Sequence, residues 1–84
     1  MSKTRKILSE ILSGSSDSNI AFSDLCLVLE PGGFTRRQGG GNHVIFYKPD
    51  VEEIVNLQPL GNKSKAYQVK QVRNLILKYQ LNID

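Results

Sequence analysis

The stretch FTRRQGGGNHVIFYK, residues 34–48, decides the fold. Phe34 to Gln38 and His43 to Lys48 are short segments of strand-forming residues, and Gly39, Gly40, Gly41 and Asn42 between them tolerate the positive φ of a tight reversal. The pair reads as a β-hairpin. Pro49 and Asp50 supply a second turn, after which Glu53, Val55 and Leu57 alternate with Glu52, Ile54, Asn56 and Gln58 as a third strand with one apolar face. Consecutive strands joined by short turns make the sheet antiparallel.

Helical periods flank this sheet. Ser23 precedes Asp24 and the apolar set Leu25, Val28 and Leu29, so it is placed as the N-cap of a helix that Pro31, Gly32 and Gly33 end. Further upstream, Ile7, Leu8, Ile11 and Leu12 recur at three- and four-residue spacing, which predicts a helix over residues 3–13 closed by Gly14. After the sheet, Val69, Val72, Ile76 and Tyr79 form one stripe over residues 65–79, with Leu75 beside it. Lys70, Asn74 and Lys78 fall opposite that stripe, and Arg73 lies at its edge. The expected class is α+β: an α-β-β-β-α order with helices on one sheet face, preceded by an extra N-terminal helix. Residues 1–19, the first helix with the polar connection GSSDSN, are set apart from residues 20–84. That first helix either joins the core or stands exposed as a docking element.

Eighty-four residues leave room for one small core and exclude large catalytic scaffolds. With 39% hydrophobic and 23% charged residues the chain is too apolar for a disordered polyelectrolyte. Eleven basic against eight acidic residues give +3, which favours an anionic partner. The single cysteine, Cys26, cannot form an intramolecular disulfide, and with a single histidine it cannot complete a four-ligand zinc site. The apolar run in MSKTRKIL stops at Ser9 and Glu10, too early for an export signal, and no membrane span is present. A cytoplasmic protein without metal or other cofactor is expected.

Charge is distributed unevenly. No acid occurs between Glu53 and Asp84, whereas Lys63, Lys65, Lys70, Arg73 and Lys78 all do, and Arg36, Arg37 and Lys48 lie on the hairpin. These side chains either converge on a polyanionic backbone or form a solvated face. His43 is the one residue of a type that titrates near neutrality, so any histidine-mediated proton transfer uses it. The glycines before it remove bulk where a ribose and phosphate would approach and leave backbone N–H groups for phosphate oxygens, or they merely permit the turn while His43 bonds locally. Strand alternation puts His43, Ile45 and Tyr47 on one face and Val44, Phe46 and Lys48 on the other. Glu52 and Glu53 point to opposite faces and are not an acid–base pair. The glycine run lacks a following Lys-Ser or Lys-Thr and joins two strands, unlike a P-loop. Cys26, among Leu25, Leu27 and Val28, reads as a small core residue.

Gly33 and Phe34 closing a helix, then Arg36 and Arg37, a glycine-rich turn, His43, and Phe46 three residues on, form a pattern that resembles the HicA family of mRNA interferase toxins. The resemblance covers residues 22–79 in order and spacing, with Asn42 where serine commonly precedes the histidine. It implies a double-stranded-RNA-binding-domain-like fold, a metal-independent endoribonuclease acting on mRNA, and a HicB-like antitoxin as partner. On this reading His43 is the catalytic acid or base, and Arg36, Arg37, Gly41, Asn42, Lys48, Lys65 and Lys70 contact RNA. The alternative is a noncatalytic module that binds structured RNA through a basic face. The open sheet face with Ile45 and Tyr47 offers a route to a homo-oligomer.

Overall fold

The computed structural model describes residues 3–83. Three strands, β1 (Thr35–Gln38), β2 (Val44–Lys48) and β3 (Val51–Leu57), form an antiparallel sheet in the order β1-β2-β3. The first hairpin pairs Arg37 with Ile45 and Arg36 with Phe46, and Gly41 takes the turn with φ +61°. The second pairs Ile45 with Asn56 and Phe46 with Val55, then shifts register between Phe46 and Lys48. Val44, Phe46, Val51, Val55 and Leu57 are buried, whereas Tyr47 and Ile54 are exposed. One face therefore packs and the other stays open, as alternation requires.

Helices α1 (Lys3–Ser13), α2 (Phe22–Leu29) and α3 (Ala66–Tyr79) complete the α-α-β-β-β-α order. The main core joins Leu25, Val28 and Leu29 of α2 and Val69, Val72 and Ile76 of α3 to the buried sheet face. Ile7 and Ile11 of α1 belong to the same cluster at 4% and 0% exposure, with Leu8 packed against it. The leading helix is thus part of the core and shares it with the elements that follow. Burying each of these isoleucines contributes about 1.5–3 kcal/mol of transfer free energy.

Two local readings need correction. Ser23 does not cap α2: the cap residue is Ala21, in extended backbone, with no side-chain capping bond. The N–H of Phe22, which has no partner within the helix, instead donates to the Asn62 carbonyl at 3.0 Å, so a distant segment satisfies the helix end. That segment is a small hairpin that the periodicity does not predict, β4 (Pro59–Leu60) with β5 (Lys63–Ser64), turning at Gly61 with φ +64°. It anchors α2 further through a bridge between Ala21 and Lys63.

Candidate functional site

The turn between β1 and β2 holds the histidine by backbone and side-chain hydrogen bonds. Gly39 N–H donates to the His43 carbonyl at 3.0 Å, and His43 N–H donates to the Gly40 carbonyl at 3.1 Å. The Gln38 side-chain amide reaches across the loop, donating to the Gly41 carbonyl at 3.2 Å and the His43 carbonyl at 3.1 Å. A Cβ at Gly39 would lie 3.2 Å from the His43 Cβ and 3.3 Å from Ile45 Cδ1, a tight approach that the loop would have to relieve by a few tenths of an ångström.

The imidazole itself is half-buried, with Nδ1 2.9 Å from the Gly40 carbonyl oxygen. A carbonyl only accepts, so Nδ1 carries the hydrogen and the neutral ring has its lone pair on Nε2. The local bond offered as one role for His43 is therefore present, and it selects the tautomer in which Nε2 is the base. Among the described residues no pocket forms around the ring, so His43 stands on an open surface rather than inside a cleft.

Cross-strand pairing decides which predicted RNA contacts share its face. Arg37 pairs directly with Ile45, two residues from His43, and is exposed on the open side with Tyr47. Asn42 and Lys65 are joined to the same end of the sheet through Gln58. Gln58 Nε2 donates to Asn42 Oδ1 at 3.4 Å, and Lys65 Nζ donates to Gln58 Oε1 at 2.8 Å. Gly41 lies in the turn itself, exposed, and a Cβ there would meet nothing within 4 Å.

The remaining predicted contacts are elsewhere. Arg36 pairs with Phe46, on the helix-covered side, and its guanidinium lies 3.7 Å from Glu30. Lys48 is at the opposite end of β2, bonded to Asp50 at 3.1 Å and lying over Gly33. Lys70 is exposed on α3 and has no ion pair among the described residues. The expected convergence of these cations on one cleft is replaced by a smaller set, Arg37, Asn42 and Lys65, around the histidine turn.

The basic run after the sheet is largely engaged within the fold. Arg73 Nη1 donates to Asp17 at 2.8 Å and to the Ile11 carbonyl at 3.1 Å. Lys63 donates to Asn19 at 2.9 Å. Lys78 and the Tyr79 hydroxyl both donate to Glu53, and these bonds hold its carboxyl down at a pKa of about 2. The same carboxylate pushes the Lys78 ammonium up, again through the hydrogen bond first. Burial pushes the Cys26 thiol up, so it is a core group rather than a nucleophile. Three glutamines, Gln38, Gln58 and buried Gln68, organise the site region without any signal in the sequence, where uncharged side chains carry no pattern.

Comparison of the chain with protein-family models, with curated proteins and with solved structures finds no match.

Proposed function

We propose that the protein is an RNA-cleaving toxin, with His43 as general base at an open, moderately basic surface. The observation that carries this reading is the Nδ1–Gly40 contact, which leaves Nε2 of the neutral ring free to take a proton. In the reaction Nε2 takes the proton of a ribose 2′-hydroxyl, the 2′-oxygen attacks phosphorus, and the bond to the 5′-oxygen breaks. Water protonates the departing oxygen, and the products are a 2′,3′-cyclic phosphate and a 5′-hydroxyl. Arg37 and Lys65 hold the phosphate and offset its developing charge, and Tyr47 supplies an aromatic surface for a base. The partner implied by the HicA resemblance is a HicB-like antitoxin with an acidic contacting surface.

The test compares wild type and His43→Ala on a single-stranded mRNA fragment. The wild type is expected to cleave it to cyclic-phosphate ends, and the variant to lose at least about a hundredfold in rate while binding RNA with unchanged affinity. Equal cleavage by the two proteins rules out the assigned base. Binding by the wild type without any cleavage establishes the noncatalytic module instead, a reading favoured by the lack of a second proton-transfer group bonded to the ring among the described residues.

A further inference from the structure

The two outer edges of the three-stranded sheet are finished differently. The bond from Gly39 N–H to the His43 carbonyl sets the ladder's alternation, so Thr35 and Arg37 turn their peptide groups towards β2. Arg36 and Gln38 then turn theirs outward. Carried across the pair Ile45 with Asn56, the same alternation turns the peptide groups of Asn56 and Gln58 outward on the β3 side.

On that side α3 meets them. Gln68 Nε2 donates to the Asn56 carbonyl at 3.1 Å, and its Oε1 accepts from Gln58 N–H at 3.2 Å. The Tyr79 hydroxyl accepts from Glu52 N–H at 3.4 Å. On the β1 side, among the described residues, no such cap reaches the outward groups of Arg36 and Gln38, and every residue of the strand is exposed.

We propose that the outer edge of β1 docks an extended protein segment with an acidic side chain opposite Arg37. An added strand supplies the alternating donors and acceptors that Arg36 and Gln38 present, in the manner of strand addition to a sheet edge. Because Arg37 directs its own peptide groups inward, the position facing it is a non-hydrogen-bonded pair with Cα atoms about 4.5 Å apart, close enough for a carboxylate to meet the guanidinium.

Charge selects this occupant over a second copy of the chain. Outward residues must pair with outward residues, so an antiparallel β1 dimer overlapping in three of its four strand residues places Arg36 on Arg36 or Arg37 on Arg37. Like charges directly opposite are destabilising. An RNA strand offers phosphates to the arginines but no peptide ladder. The docking site does not depend on the nuclease reading, and its test uses no cleavage assay.

The isotope-labelled full chain is titrated with a blocked nonapeptide alternating Thr and Glu, and with its Lys-for-Glu counterpart, followed by amide NMR and hydrogen exchange. The Glu peptide is expected to slow exchange at Arg36 and Gln38, and the Lys peptide to leave both unchanged. Arg37→Ala should weaken the Glu peptide about fivefold, and Arg37→Glu should reverse the preference. Equal effects of the two peptides, no binding by either, or binding without slowed exchange at Arg36 and Gln38 would overturn the proposal. Protection that rises with protein concentration alone assigns the edge to a second copy, and the same protection by an oligouridylate assigns it to nucleic acid.

Discussion

Arg73 sits at the edge of the α3 stripe, where helical periodicity puts it, yet its guanidinium turns inward to Asp17 and the Ile11 carbonyl. Those partners lie 56 and 62 residues away in sequence. Both side chains of the ion pair are mostly covered, at 16% and 21% exposure, so the pair is more than a surface contact. Arg73→Met keeps the stem's volume and removes both bonds, leaving the mostly covered Asp17 carboxylate without its partner, while the Ile11 carbonyl keeps the Gly14 N–H at 3.3 Å. A loss of about 1–3 kcal/mol is expected, read as a lower urea midpoint, with Asp17→Asn losing less because the amide still accepts a bond. At His43 the residue type and its glycine-rich turn were legible, because few side chains titrate near neutrality. Its tautomer was not, since that depends on which carbonyl the folded loop brings to Nδ1.

Helix α1 shows how a short amphipathic segment becomes structural. Eleven residues are marginal as an isolated helix, so α1 holds its form by burying Ile7 and Ile11 against α2 and α3. Ile11→Ala removes a fully buried side chain and is expected to cost about 2–5 kcal/mol, measured as global destabilisation in denaturant. A loss confined to fraying of residues 3–13, with the remaining midpoint unchanged, would show α1 to be dispensable. Polar bonds add to the shared core between β3 and α3: Glu53 accepts from Lys78 at 2.8 Å and from the Tyr79 hydroxyl at 2.5 Å. Its carboxyl titrates near 2 in the folded chain against an ordinary 4.5. A depressed folded pKa stabilises the fold fully above the ordinary value, and that contribution is lost as pH falls through the folded one. The stability difference between wild type and Glu53→Gln should therefore be constant at neutral pH and shrink between pH 4.5 and about 2. Urea midpoints across that range check it, and a difference that grows towards acid contradicts the assignment. Element types and order were readable from period, since alternation and helical spacing are local properties. The β4–β5 hairpin was not, because two-residue strands carry no period, and neither was the true start of α2, whose first N–H is satisfied by Asn62.

Over the whole molecule the question is how many cations face outward. Counting the hairpin and the acid-free run together gives eight basic residues, of which Arg36, Lys48, Arg73 and Lys78 are ion-paired, whereas among the described residues Lys63 and Lys65 are bonded only to neutral amides and keep their charge uncompensated. If Arg37, Lys63, Lys65 and Lys70 carry phosphate binding, the logarithm of single-stranded RNA affinity should fall with the logarithm of salt at a slope of about −3, against about −6 for all eight. Fluorescence anisotropy over a salt series measures it, and a slope near the larger value would mean that the internal ion pairs open on binding. Among the described residues no helix is long and apolar enough to cross a membrane, in keeping with the amphipathic stripes. What the residues determined by themselves was the α+β class, the antiparallel hairpins, the buried face of α3 and the placing of a lone histidine on the open sheet side. Each follows from periodicity and turn chemistry, which act over a few neighbours. Only the tertiary structure decided which charges are spent on the fold, which turn carbonyl orients the imidazole and which sheet edge stays uncapped. The Arg73 and Lys78 pairings and the β3 cap join groups 10 to 62 residues apart, and the Gly40 carbonyl, three residues from His43, is aimed at the ring by the folded shape of the turn; no sequence period records either.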